Sequence, residues 1–292
     1  MEQFLQQVIN GLSLGSIYAL VALGYTMVYG IIKLINFAHG DIYMIGAYVA
    51  FWVTTSFGFS FIPALLTSMV VCGLLGVLIE RVAYKPLRKA PRITALITAI
   101  GISYVIEYTT QLFMGASVKT YPAIVPTTSW QIGPVKISAM QLIIFSVTVL
   151  LMLLLTFIIN MTKVGRAMRA VSADENAAKL MGISVDNTIS MTFLLGSALA
   201  GAAGVLVGLY YNSISPLMGM VPGLKAFVAA VFGGIGSIPG AMIGGLFIGL
   251  CETMVVAYGS SLYKDAIVYA ILILVLIIRP SGLFGKTERE KV

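Results

Sequence analysis

The sequence predicts an all-α, polytopic helical membrane protein, and three observations predict it. Of its 292 residues 59% are hydrophobic and 10% charged, with a mean hydropathy of +0.99, too little polar surface to clothe a water-soluble core. Apolar stretches of about 20 residues, each enough to cross a bilayer, recur along the whole length. The basic residues behind the net charge of +7 stand in short clusters between those stretches, as cytoplasmic loops do under the positive-inside rule, rather than as a nucleic-acid-binding face. About eight to ten membrane segments fit, some of them broken or re-entrant, in one transmembrane domain over residues 1–292.

In chain order, the first span runs over 5–30, with Gly11, Gly15, Ala19 and Ala22 forming a small-residue face for close helix packing. The amino-terminal MEQFLQQVIN lacks a basic region, so no cleaved signal is expected. Residues 31–52 carry Lys33, Asn36, His39, Gly40 and Asp41 close together. That is too polar for a lipid-facing helix, so an interfacial turn or a broken segment lining a cavity is expected there. A span over 61–79 leads into a cytoplasmic loop over 80–92, ERVAYKPLRKAPR, with Arg81, Lys85, Arg88, Lys89 and Arg92. The span over 93–115 returns outward to a Pro- and Thr-rich extracytoplasmic linker over 116–138, and 139–161 comes back in.

A second cytoplasmic loop, 162–187, precedes a span over 188–211 that has a stripe of Gly196, Ala200, Gly204 and Gly208. Beyond Pro216 the pattern fragments, with Pro222, Pro239 and nine glycines from Gly219 to Gly249, and apolar runs at 245–258 and 265–278 precede a basic tail. Placing Lys33, both loops and the tail inside gives fourteen basic residues against Lys119, Lys136, Lys225 and Lys264 outside. The amino terminus then lies outside and the carboxyl terminus inside, with nine crossings if 222–235 spans. The interruptions at 36–48 and 232–246 occupy corresponding places in the two halves, the pattern of an inverted repeat with a path between discontinuous helices. Mostly apolar walls are expected where they meet, with Asn36, His39, Gly40, Asp41, Gly234, Gly236 and Ser237 as the path candidates.

The longest polar interruption, KVGRAMRAVSADENAAKLMGISVDN, reads as a loop built to be gripped. Ser172 and Glu175 have capping-box spacing, which predicts a helix from Ala173 to Met181 with Asp174 in its first turn and Gly182 ending it. Ala177, Ala178 and Met181 then share a smooth face with Ala173, suited to a groove on another protein. Arg166 and Arg169 are expected to prolong the preceding membrane helix. An ordinary loop whose charges only set topology is the competing reading.

Catalytic machinery is not in view. GGIGSIPG lacks the Lys-Ser/Thr of a nucleotide-binding loop, the single histidine and the two cysteines make no metal-ligand spacing, and there is no nucleophile elbow. Intramembrane acids are the functional suspects, namely Asp41, Glu107 and Glu252. The last two read equally as structural acceptors for Ser103, Thr110 or Thr253.

The blocks GYTMVYGIIKLINFAHGDIYMIGAY, ERVAYKPLR, TKVGRAMRAVSADENAAKLMGI and AAVFGGIGSIPGAMIGGLFIGL together resemble the LivH-type permease of bacterial branched-chain amino-acid ABC importers. The resemblance covers nearly the whole chain and implies one half of an inner-membrane pore for leucine, isoleucine and valine. The implied partners are a second, LivM-like permease, two cytoplasmic ATP-binding subunits, a periplasmic amino-acid-binding protein and the surrounding lipid. ATP and Mg belong to the partner subunits, and this chain holds no cofactor. The helix at 173–181 is, by the same resemblance, the one that docks on an ATPase. The wider permease signature there is EAA with a Gly three residues on; here Glu175-Asn176-Ala177-Ala178 displaces the Glu by one while keeping the Ala-to-Gly182 spacing. A permease for urea, amides, sugars or nucleosides would share this architecture, and an ion-coupled carrier using Asp41, Glu107 and Glu252 is the reading from another class.

Overall fold

The computed structural model describes residues 2–88 and 90–285. Lys89 of the first predicted loop and Lys286, Arg289 and Lys291 of the tail lie outside the described residues, as does the side chain of Arg92.

Two long helices form the centre. α1 (Glu2–Ile32) and α9 (Val185–Tyr211) have 78% and 83% of their apolar stretches buried. Around them stand α3 (Phe61–Ile79), α5 (Arg92–Met114), α6 (Ala139–Met161), α11 (Ile238–Tyr258) and α12 (Lys264–Ile278), with only 11% of the α12 stretch covered. α3 continues through a π turn at Glu80–Tyr84 into the short α4 (Lys85–Leu87). Seven helices among the described residues are long and apolar enough to cross a membrane, and α2 (His39–Phe57) and α10 (Met220–Gly233) bring the apolar segments to nine.

The small-residue stripes do what their spacing predicts. Gly11, Gly15 and Ala19 of α1 interlock with Gly245 and Gly249 of α11, so closely that a Cβ on Gly15 would lie 2.7 Å from the Cα of Leu246. With lipid as apolar as leucine, such backbone approach is what holds membrane helices together. On the other flank Gly46 of α2 meets Gly201 of α9. The Ser68 hydroxyl of α3 donates towards both their carbonyls, at 2.9 and 3.1 Å, which ties three helices at one point.

The linker over 116–138 is a small β cap. β2 (Ser129–Ile132) and β3 (Val135–Ser138) form an antiparallel hairpin, and β1 (Lys119–Thr120) pairs with β4 (Ser213–Ile214) beyond α9, a long-range pairing that periodicity does not show. Gln6 fastens the start of α1 to the Lys136 backbone with bonds of 3.0 and 2.9 Å. A capping box forms at Ser138 and Gln141, where α6 begins.

Four expectations are corrected. Residues 39–48 are not broken, since α2 runs unbroken from His39 to Phe57 and the first interruption is confined to 33–38. Residues 238–246 are not broken: once Ser237 caps it, α11 runs unbroken from Ile238 to Tyr258, with Pro239 in its first turn where no N–H is missed. The second interruption is confined to Gly234–Ser237, where Gly234 and Gly236 take φ of 101° and 94°. Lys225 is not an outer-loop residue but is buried within α10. Arg166 and Arg169 do not extend α6, because Thr162 turns extended and starts a separate helix, α7 (Lys163–Ala173).

Candidate functional site

The loop end of the bundle is built from α7 and from α8 (Glu175–Leu180). The Thr162 hydroxyl accepts from the Gly165 N–H, and Gly165 presses on the Ile158 and Ile159 carbonyls, where a Cβ would collide. The chain therefore turns abruptly off α6. α7 is amphipathic, burying Met168 and Val171 against the bundle while the Arg169 guanidinium donates to the Ile159 carbonyl.

The cap of α8 differs from the expected one. Asp174, not Ser172, accepts from the Asn176 and Ala177 N–H groups, at 2.8 and 2.9 Å. Ser172 is still inside α7, where its hydroxyl donates to the Arg169 carbonyl, and Ala173 is the last residue of α7. A carboxylate that accepts two N–H groups satisfies more of the helix start than a hydroxyl, and Glu175 is left to pair with Lys179 at 2.7 Å. The far end is as predicted: Gly182 has φ of 79°, and Gly182 and Ile183 donate back to Lys179 and Ala178, a Schellman closure. Ala178 is buried against its own chain, so the outward face is not the alanine stripe. It consists of Ala177 with Leu180 and Met181, which are 89% and 82% exposed.

The two loops expected to be cytoplasmic are clasped together, which the sequence does not reveal. Asp186 at the start of α9 takes Lys85 at 2.7 Å and Arg88 at 2.5 Å. Arg88 also holds the fully buried Glu80 in the π turn, and Glu80 accepts from Ser190 at 2.6 Å. A cavity of about 100 Å³ lies between Thr26 and Gly30 of α1, Arg169 and Ser172 of α7, and Gly236. The second interruption and α7 thus face the same cavity.

The path candidates do not gather at one place. Gly234, Gly236 and Ser237 stay at the loop end, with Gly234 against Gly285 of the chain beyond α12 and Ser237 used as the α11 cap. Asn36 accepts from the Tyr84 hydroxyl at 3.0 Å. His39 lies against Gly24 and edge-on to Tyr25 at 4.7 Å. Gly24 is eight residues from the end of α1, about 12 Å inward. At that depth Gly40 meets Gly219, where a Cβ on Gly40 would be 2.5 Å from the carbonyl oxygen, and Asp41 stands beside them. The deep partner of the first break is therefore the start of α10, not 232–246. Ile35, just before the first predicted break, and Ile235, within the second, share a crevice closed down to about 10 Å³.

The intramembrane acids divide into two kinds. Glu252 of α11 accepts from the Tyr18 hydroxyl at 2.8 Å and from Lys225 at 2.6 Å, and Lys225 also reaches Asp265 at 2.6 Å. Thr253 bonds Gly249 instead. Four helices meet in this network. Asp41 of α2 faces Ser103 and Glu107 of α5, with no lysine or arginine paired to either carboxyl among the described residues.

The family model for the branched-chain amino acid transport system / permease component matches residues 7–276. The high-affinity branched-chain amino acid transport system permease protein LivH of Escherichia coli strain K12 is 46% identical, over 99% of this chain and 98% of its own. The BraD permease protein of Pseudomonas aeruginosa is 46% identical over the same shares. A probable LivH of Methanocaldococcus jannaschii is 31% identical over 92% of this chain and 89% of its own. No solved structure matches the chain.

Proposed function

The chain belongs to the family of permease components of branched-chain amino acid transport systems, and from that premise we propose how it works. It is the membrane permease subunit of an ABC importer that carries leucine, isoleucine and valine across the inner membrane. A transport permease of this kind passes its substrate unchanged. The single observation that carries the reading is identity of 46% over nearly the whole of both chains.

In our reading the working unit holds a second, LivM-like permease, two ATP-binding subunits that hydrolyse ATP, and a periplasmic binding protein. The β cap and the amino terminus face the periplasm, and α7, α8 and the carboxyl-terminal end face the cytoplasm. α8 docks on an ATP-binding subunit. Its outward Ala177, Leu180 and Met181 are short, apolar and held by a cap at each end, the form of a helix that enters a groove. Movement of that groove passes into α7, which touches α1 and shares a cavity with Gly236. The clasp of Lys85 and Arg88 on Asp186 makes the 80–92 loop move with it. Gly234, Gly236 and Ser237 belong to this transmission, and the substrate passes the Asp41 end of the first break.

The test is uptake of radiolabelled leucine by the assembled transporter in proteoliposomes. Leu180→Asp or Met181→Asp, with the chain still inserted, should lower both uptake and binding-protein-stimulated ATP turnover by about tenfold, the loss of a central contact. Undiminished uptake in both variants overturns the docking, and failure of the unaltered complex to take up any branched-chain amino acid overturns the function.

A further inference from the structure

α2 and α5 lie side by side and leave a groove between them. Its upper walls are Ile45, Val49 and Trp52 from α2 and Phe113 and Met114 from α5, enclosing about 320 Å³. That volume lies within the range of small-ligand pockets. One turn below Ile45 is Asp41, and one turn below Thr110 of the groove wall is Glu107, so the carboxyls lie beneath the apolar lining of the groove on the same helix faces. The pair is 2% and 6% exposed.

Charge separates these acids from the others. Buried Glu80 has Arg88, and buried Glu252 has Lys225. Asp41 and Glu107 have only each other and Ser103, with no cation among the described residues. Two carboxyls brought together inside a bilayer are costly unless one keeps its proton or something positive joins them, and a cation arriving there replaces that proton. A second, separate observation is Tyr48, which lines the groove, is 2% exposed, and has a hydroxyl with no hydrogen-bond partner among the described residues. A cationic group at the floor, a hydrogen-bond acceptor for Tyr48 and an aliphatic body between apolar walls describe one kind of guest.

Resting on the permease reading above, we propose that the α2–α5 groove holds the branched-chain amino acid in transit. Asp41 and Glu107 receive the ammonium group, which offers three donors. The Tyr48 hydroxyl donates to the substrate carboxylate, and Val49, Trp52 and Phe113 enclose the side chain. The floor lies deep in the bilayer, and the groove rises from it towards the end that bears the β cap. α10 starts beside it, since Gly219 lies against Gly40 and Asp41, so movement of α10 reaches the floor directly.

The experiment compares the assembled transporter with its Val49→Trp and Glu107→Gln variants in proteoliposomes loaded with ATP. Val49 is half-buried on the groove wall, so a larger side chain there fills the groove rather than the core. Both variants should keep the partners bound while leucine uptake falls by about tenfold or more, as when a site built for a polar group loses its match. Wild-type uptake in both overturns the groove and leaves the permease reading standing. If the unaltered complex takes up no leucine, the permease reading itself falls. Should either variant not assemble, Thr109→Cys on the exposed wall of the groove is alkylated by N-ethylmaleimide in the assembled transporter. Saturating L-leucine should slow that reaction, and alkylation at an unchanged rate overturns the proposal.

Discussion

Four carboxyl side chains are buried in this bundle, and what each meets decides what it does. Glu252 is held by Lys225 and Tyr18, and Lys225 also reaches Asp265 at the start of α12. A buried pair is weak evidence of added stability, but removing one partner strands the other. Lys225→Met should therefore cost about 3–5 kcal/mol, and Lys225→Met with Glu252→Gln should recover most of it. Thermal unfolding of the detergent-purified chain measures both, and equal losses in the single and double variants would contradict the pairing. The sequence marks Glu252 as a suspect because an acid within an apolar run is conspicuous. It does not show Lys225 as its partner: a lysine between Pro222 and Gly223 on one side and a glycine-rich run on the other looks like a loop. Likewise Glu80 and Arg88 look in the sequence like loop charges alone, since the contact with Ser190 spans 110 positions.

At the scale of the element, α8 shows how a short helix is made rigid. Six residues cannot sustain a helix alone, so the caps carry it. Asp174→Ala should cost about 1 kcal/mol of local stability and Ser172→Ala well under that. Faster amide exchange at Asn176 and Ala177 in the first variant only is the expected sign, and the reverse order would restore the capping box read from spacing. Gly182→Ala strains a φ of 79° and should add about 1 kcal/mol of loss at the other end. The carboxyl-terminal cap is legible because only glycine suits that conformation. The start lies two residues beyond its expected place because Ser172 and Asp174 both qualify as caps, and the choice depends on α7 packing through Met168 and Val171. Among the long helices, α6 matches its expected bounds residue for residue. α11 does not, since glycines spaced for packing against α1 look from sequence like breaks. Gly249→Leu should prevent α1 and α11 from closing, with loss of folded protein on size-exclusion chromatography; a monodisperse variant of unchanged Tm would contradict that packing.

Across the whole molecule, the apolar runs and their basic flanks are enough to predict an all-α membrane protein and the place of both loops. The breaks can be foreseen in their neighbourhood but not in their bounds, which are 33–38 and 234–237 rather than 36–48 and 232–246, nor in their partners. Gly40 finds Gly219 because α10 starts deep beside α2, and no periodicity announces which re-entrant start meets which break. In the proposed mechanism these contacts serve as a mechanical route: α8 outward, α7 across the loop end, then α1 and the cavity shared with Gly236, with the Asp186 clasp carrying the first loop along. All of it depends on α8 being the point of attachment. The most direct test places a photocrosslinking amino acid at Met181 in the membrane-embedded importer and, as control, at Leu217, which is exposed beyond β4. Met181 should capture an ATP-binding subunit and Leu217 should not; an importer that is active in uptake yet yields no such adduct from Met181 would contradict attachment through α8.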